Sequence, residues 1–127
     1  MLADEQNQLI RRYVAAYNAF DVEGMVRLLS SEVRFENWSG GELTAEASGI
    51  SAFKRLASQA ATLFSQREQR ITSVTWCVES VVVSIAYCGQ LAVDIPNGPR
   101  AGAVLNLNGE SRSAFKDGLI SNIIDRS

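Results

Sequence analysis

The sequence contains no histidine. The side chain that most often serves as general base or metal ligand near neutral pH is therefore missing, and proton transfer has to fall to carboxylates, tyrosines or backbone dipoles. Cysteine is scarce: Cys77 and Cys88 fit no zinc spacing, and in apolar, strand-like surroundings they read as small buried side chains, free thiols of a reducing compartment. No apolar run is long enough to cross a bilayer, the opening MLADEQNQ is too polar for a signal peptide, and neither a phosphate-cradling glycine loop nor a nucleophile elbow is present. Positive charge is not in excess either: the net charge is -2 and the basic residues are scattered, which gives no footprint for nucleic acid or an anionic membrane. The expectation is a cytoplasmic protein that uses no metal or organic cofactor, binds neither nucleic acid nor membrane, and has small molecules or its own copies as partners.

What is present is patterned. A chain of 127 residues suits one domain, 1–127, able to bury about two thirds of its unfolded surface in a single core. Leu9, Tyr13, Ala16, Tyr17 and Phe20 fall at helical spacing, with Arg11, Arg12 and Asn18 off the stripe. Asp21 caps a second short helix that turns Met25, Leu28 and Leu29 to the same core. From Val33 the period changes to two: Val33, Phe35 and Asn37 point one way, Arg34, Glu36 and Trp38 the other. A polar Asn37 on the apolar face of a strand asks for an explanation. Ser39–Ser48 reads as a loop of small residues with two rim acids, Glu42 and Glu46, and a third helix, Ile50–Phe64, buries Phe53, Leu56, Ala57, Ala60, Leu63 and Phe64.

Beyond Gln69 the chain turns to β-branched residues, and strands are predicted at Arg70–Val78, Val81–Val93, Val104–Lys116 and Leu119–Asp125. A break falls at Ile95–Gly102, which holds both prolines, and a bulge is expected at Gly109, where the alternation keeps its phase. Helices first and a meander after imply an α+β arrangement with helices on one face of a sheet. Val81–Tyr87 is apolar at both parities, so both faces of that strand should be covered, one by the helices and the other by a second subunit in a homodimer.

In order and spacing, RYVAAYNAFDVEGMVRLLSSEVRFEN, SGISAFKRL, VVVSIAYCG and IPNGPRAG followed by SRSAFKDGLISNIIDRS resemble the nuclear transport factor 2 superfamily, and within it the SnoaL-like and ketosteroid-isomerase-like proteins. The resemblance covers nearly the whole chain. It implies a cone-shaped α+β barrel in which three N-terminal helices pack on a curved antiparallel sheet. It also implies a site: Tyr13 falls on the isomerase's catalytic tyrosine, Asn37 on its general-base aspartate, and Ser111 at or near its second oxyanion donor.

Two of those three positions depart from the isomerase. There, a carboxylate moves a proton between carbons while a phenol and a neutral acid steady the dienolate. The Asn37 amide cannot accept that proton, and a positioned general base is worth about 10² to 10⁴ in rate. The resemblance therefore implies a pocket with Tyr13, Asn37, Ser111 and Ser113 as hydrogen-bonding groups, beside Tyr17, in an apolar wall of Val33, Phe35, Phe53, Val83, Ile85 and Phe115, suited to a small hydrophobic molecule bearing one or two oxygens. Among the acids, Glu46 on the rim is the first candidate for a replacement base and Asp94 the second, while Asp125 reads as a surface charge. Plainer readings stand beside these: a core tyrosine with one partner, an asparagine that caps a strand end, serines kept small by tyrosines opposite. Three function classes follow: an isomerase, cyclase or dehydratase using Tyr13 as acid or oxyanion donor, a non-catalytic ligand-binding protein, and a dimeric assembly domain.

Overall fold

The apolar stripe of the first thirty residues folds into two helices. In the computed structural model, which describes residues 1–127, α1 spans Ala3–Asn18 and α2 spans Val22–Val26. Helix α1 stops in a capping turn: Asp21 N–H donates to the Ala16 carbonyl at 2.8 Å and Phe20 N–H to the Tyr17 carbonyl at 3.1 Å, with Phe20 left-handed at φ 58°. The Asp21 carboxylate then accepts from Gly24 N–H at 2.9 Å and starts α2. The remaining elements are β1 (Leu29–Ser39), β2 (Glu42–Ser48), α3 (Ile50–Ala61), β3 (Phe64–Trp76), β4 (Val81–Leu91), β5 (Val104–Lys116) and β6 (Leu119–Arg126).

Several expectations are corrected. Ser39–Ser48 is a hairpin: Gly40 and Gly41 take φ of 58° and 81° in a two-residue turn, and β2 pairs back along β1. Strand β2 buries only Ala47, so it carries no alternation to read. Helix α3 ends at Ala61 and β3 begins at Phe64, six residues before its predicted start at Arg70. No bulge occurs at Gly109 between β4 and β5, where the register runs unbroken from Val81↔Ser113 to Gln90↔Val104. The glycine answers instead to a close approach, since a Cβ there would lie 2.5 Å from the Arg126 carbonyl oxygen on β6. Both cysteines are exposed, Cys77 in the β3–β4 turn and Cys88 between Glu68 and Asn106 on the outer side of the sheet.

The six strands lie in the order β2-β1-β6-β5-β4-β3. All neighbours are antiparallel except β1 and β6, which run parallel, so the sheet is mixed rather than wholly antiparallel. The meander β3–β4–β5 rejoins the first hairpin only through β6, and this puts β6 at the centre of the sheet. One face packs on the helices around Leu9, Met25, Leu28, Val33, Phe53 and Ile123, with a second cluster of Ile10, Val81, Val83 and Ile85 beside it. On the outer face Val82, Ser84 and Ala86 are half-buried, flanked in register by Thr75, Arg112, Glu110, Arg70 and Asn108. The apolar stripe there is one strand wide. No helix is long and apolar enough to cross a membrane.

Candidate active site

Three adjacent strands set one polar row across the inner face: Asn37 of β1 pairs with Asp125 of β6, and Asp125 with Ser111 of β5. Residues directly opposite on neighbouring strands point to the same side. This row lines a cavity of about 360 Å³ between sheet and helices. Tyr13 and Tyr17 enter it from α1 one helical turn apart, Phe53 and Ala57 from α3, and Arg67, Gln69 and Tyr87 from β3 and β4.

Asp125 is the carboxyl that the cavity disturbs. Burial raises its pKa from 3.8 to about 6, opposed in part by a hydrogen bond from the Ser111 hydroxyl. Its Oδ1 is buried with no hydrogen-bond partner. A buried acceptor in that state costs about 1–3 kcal/mol, and more when charged. At pH 7 such a carboxyl is mostly ionised yet holds a proton far better than a surface aspartate. Tyr13 shifts the same way: burial first, and the charge of Asp125 second, push its phenol well above the ordinary value. It stays protonated and can donate a hydrogen bond at any physiological pH. Phe53 holds the Tyr13 ring, with centroids 6.5 Å apart, and is itself met edge-on by Phe35 at 5.7 Å.

The other end of the cavity is cationic. Arg67 is 6% exposed and stacks over Tyr17 at 3.7 Å and Phe20 at 4.5 Å, while its Nε donates to the Tyr17 carbonyl at 3.0 Å. The Tyr17 and Tyr87 hydroxyls meet at 3.2 Å. Burial raises the pKa of both phenols, and the charge of Arg67 opposes the rise.

The cavity thus gathers Tyr13, Asn37 and Ser111, together with Tyr17, Phe35, Phe53 and Ile85. The Asn37 amide is already engaged: its Nδ2 donates to Thr44 Oγ1 at 2.8 Å and to Ser39 Oγ at 3.4 Å, tying β1 to the edge hairpin. The other expected lining residues lie elsewhere. Val33 is fully buried among Leu9, Met25 and Leu28, Val83 packs with Ile10, and Phe115 packs against both core clusters. Ser113, 6% exposed, pairs with Val81 and Ile123. All four sit toward the end of the sheet where side chains of α1 and α2 fill the space. Glu46 is exposed and paired with Glu36 on the outer side, and Asp94 accepts from Ala101 N–H at 2.8 Å in an exposed loop. Neither faces the cavity. Asp125, expected at the surface, is the acid inside it.

Sequence reasoning missed Asp125, Arg67, Gln69 and Tyr87. The signal existed for three of them: Asp125 shares the parity of the buried Ile123, and Arg67 and Gln69 fall on one face with Ile71 once β3 is extended back to Phe64. No group of three or more Cys, Asp or Glu side chains is placed to hold a metal ion.

Helices closing a half-apolar hollow against a curved, six-stranded mixed sheet define a cone-shaped α+β pocket protein. The SnoaL-like domain profile matches residues 10–123, and the chain belongs to that family. No curated protein matches it. Among solved structures it is similar to a candidate polyketide cyclase from Xanthomonas campestris pv. campestris, with TM-score 0.82 at 19% identity over 98% of this chain and 90% of that one. A candidate SnoaL-like polyketide cyclase from Jannaschia sp. CCS1 gives TM-score 0.81 at 14% identity, covering 96% and 84%. TerC, co-crystallised with polyporic acid, gives 0.76 at 16% identity, covering 95% and 89%.

Proposed function

We propose that the protein is an acid–base enzyme of the isomerase or cyclase kind acting on a small, mostly apolar ketone, with Asp125 as the base. Asp125 removes a proton from the carbon next to the carbonyl, and the Tyr13 phenol donates to the carbonyl oxygen as it gains negative charge. Ser111 orients the carboxylate, and Asn37 holds the edge hairpin against the cavity mouth. Return of the proton to another carbon completes an isomerisation. Attack of the enolate carbon on a second carbonyl of the same molecule, with the proton passing to the new alkoxide, completes a ring closure. The observation that carries this reading is the buried, partnerless Oδ1 of Asp125 beside an obligatorily protonated phenol. The cyclase names of the structural neighbours support the same class, and an open hollow of about 360 Å³ suits a ligand rather than assembly alone.

The test uses a surrogate ketone, 2-tetralone, in D2O, with exchange of its α-protons followed by NMR. Wild type should speed the exchange, the rate should rise with pH toward a plateau above about 6, and Tyr13→Phe should lower it at least tenfold. Equal rates with and without protein would remove the acid–base reading and leave a binding protein.

The outer sheet face is proposed as the contact of a homodimer, with Val82 and Ala86 at its centre. Light scattering at two protein concentrations should return twice the chain mass, and Val82→Arg should return the single-chain mass with the melting temperature of its fold retained. A wild type of single-chain mass at both concentrations ends that proposal.

A further inference from the structure

Arg67 is a buried cation that no carboxylate of this chain neutralises; the ion pair the molecule does form, Lys54 with Glu23, lies on the surface. Leaving a guanidinium unpaired inside a protein is costly, and two aromatic faces with one carbonyl recover only part of that cost. Closing α1 does not require it. The Tyr17 carbonyl already accepts from Phe20 N–H, and Asn18 clamps α1 to β3 through two bonds with Gln69, from its Nδ2 to the carbonyl at 3.0 Å and to its Oδ1 from the N–H at 2.7 Å. Arg67 and Gln69 nonetheless line the cavity, as do Tyr17 and Tyr87, whose hydroxyls meet at 3.2 Å.

The hollow is therefore polarised, with the Asp125 carboxylate of β6 and the Arg67 guanidinium of β3 both lining it and no ion pair between them. Asp125 repels an anionic group, and Arg67 offers it a planar pair of donors. We propose that the molecule this cavity takes is itself an anion, a keto acid whose carboxylate is held by Arg67 and Gln69 while its carbonyl lies at Tyr13 and Asp125. The inference deepens the acid–base reading and rests on it for the orientation of the carbonyl; the anion site stands on Arg67 alone. It assigns Arg67 as a binding and specificity residue, and it explains why a cavity with an apolar wall keeps a charge that a methionine could replace.

The test is a pair of isosteres, 2-naphthoate and its neutral twin 2-naphthamide, titrated by calorimetry at pH 7.5. Wild type should bind the carboxylate at least about 10-fold more tightly, the worth of one charge-assisted contact. Arg67→Met should bring the ratio close to one while the amide keeps its affinity, and Ala57→Phe, which fills the hollow, should weaken both together. If Arg67→Met does not fold, Arg67→Lys decides, because its single ammonium should lower the ratio several-fold. A ratio near one in wild type, a ratio unchanged in the folded Arg67 variants, or a parallel loss of both ligands on Arg67→Met each overturns the anion site. Naphthoate preference without tetralone exchange would retain the anion site and discard the chemistry, whereas exchange without preference would do the reverse.

Discussion

Asp125→Asn is expected to melt higher than wild type at pH 7.5 and at nearly the same temperature below pH 4. The folded state holds this carboxyl at a pKa of about 6 against an ordinary 3.8. Between those values the folded state binds the proton more tightly than the unfolded chain, so stability from this group is complete at low pH and falls as pH rises toward 6. Above that range the ionised, buried carboxylate costs about 3 kcal/mol, which for a chain of this size corresponds to a shift on the order of 10 °C. The asparagine carries no such charge and escapes the loss. The same substitution should cut tetralone exchange by about 10² to 10⁴, because an amide cannot take the proton. A gain in stability joined to a loss of exchange is the signature of a group kept for chemistry. Urea melts of the two proteins across pH 3.5 to 8 read out the first half. A variant less stable than wild type at pH 7.5 would mean that the carboxylate is structurally satisfied and that its assignment as base fails.

Phe53→Ala carries the largest expected destabilisation, about 3–5 kcal/mol. Phe53 is 2% exposed and sits where α3 meets the core, packed against the tilted Tyr13 ring and edge-on against Phe35. Removing it takes away buried area and leaves a void next to an existing hollow, which helices pinned at both ends cannot close. The Tyr13 ring loses its lateral support, so affinity for naphthamide should fall even in molecules that remain folded. Phe53→Leu separates the two effects: it restores most of the volume and about half the stability but not the ring edge, so the ligand response should stay impaired. Thermal melts and titrations of both variants check this. A Phe53→Ala protein within 1 kcal/mol of wild type would show that α3 can settle inward and that the hollow is less rigid than described.

The fold was legible wherever burial is periodic. The stripe of α1, the Asp21 cap, the switch of period at Val33 and the strand ends at Val81, Val104 and Lys116 all follow from elements with one wet and one dry face. Strand β2 left no such trace, because an edge strand with Ala47 as its only buried residue needs no alternation. The early part of β3 was hidden by Ser65, Gln66, Glu68 and Gln69, a run that reads as solvated chain until the inward parity of Arg67 is recognised. For the site, the helical tyrosines were readable because bulk and spacing coincide. For Asp125 the parity shared with Ile123 gave the face but not the setting, since local pattern cannot tell a carboxylate at a strand end from one in the middle of a sheet; that depends on which strand lies next to β1. The parallel pairing of β1 and β6 decides it, and it is a long-range fact.

That pairing also governs how the molecule comes together. Leu29 meets Ile120 across roughly ninety residues of chain, and without β6 the hairpin β1–β2 and the meander β3–β5 share no hydrogen bond within the sheet. The two halves must therefore wait for one short ribbon to zip between them, and the carboxylate becomes secluded in the same event. No partly assembled form can hold a working centre, so hydrogen exchange should release the amides of β1 and β6 together, at the slowest rate in the protein.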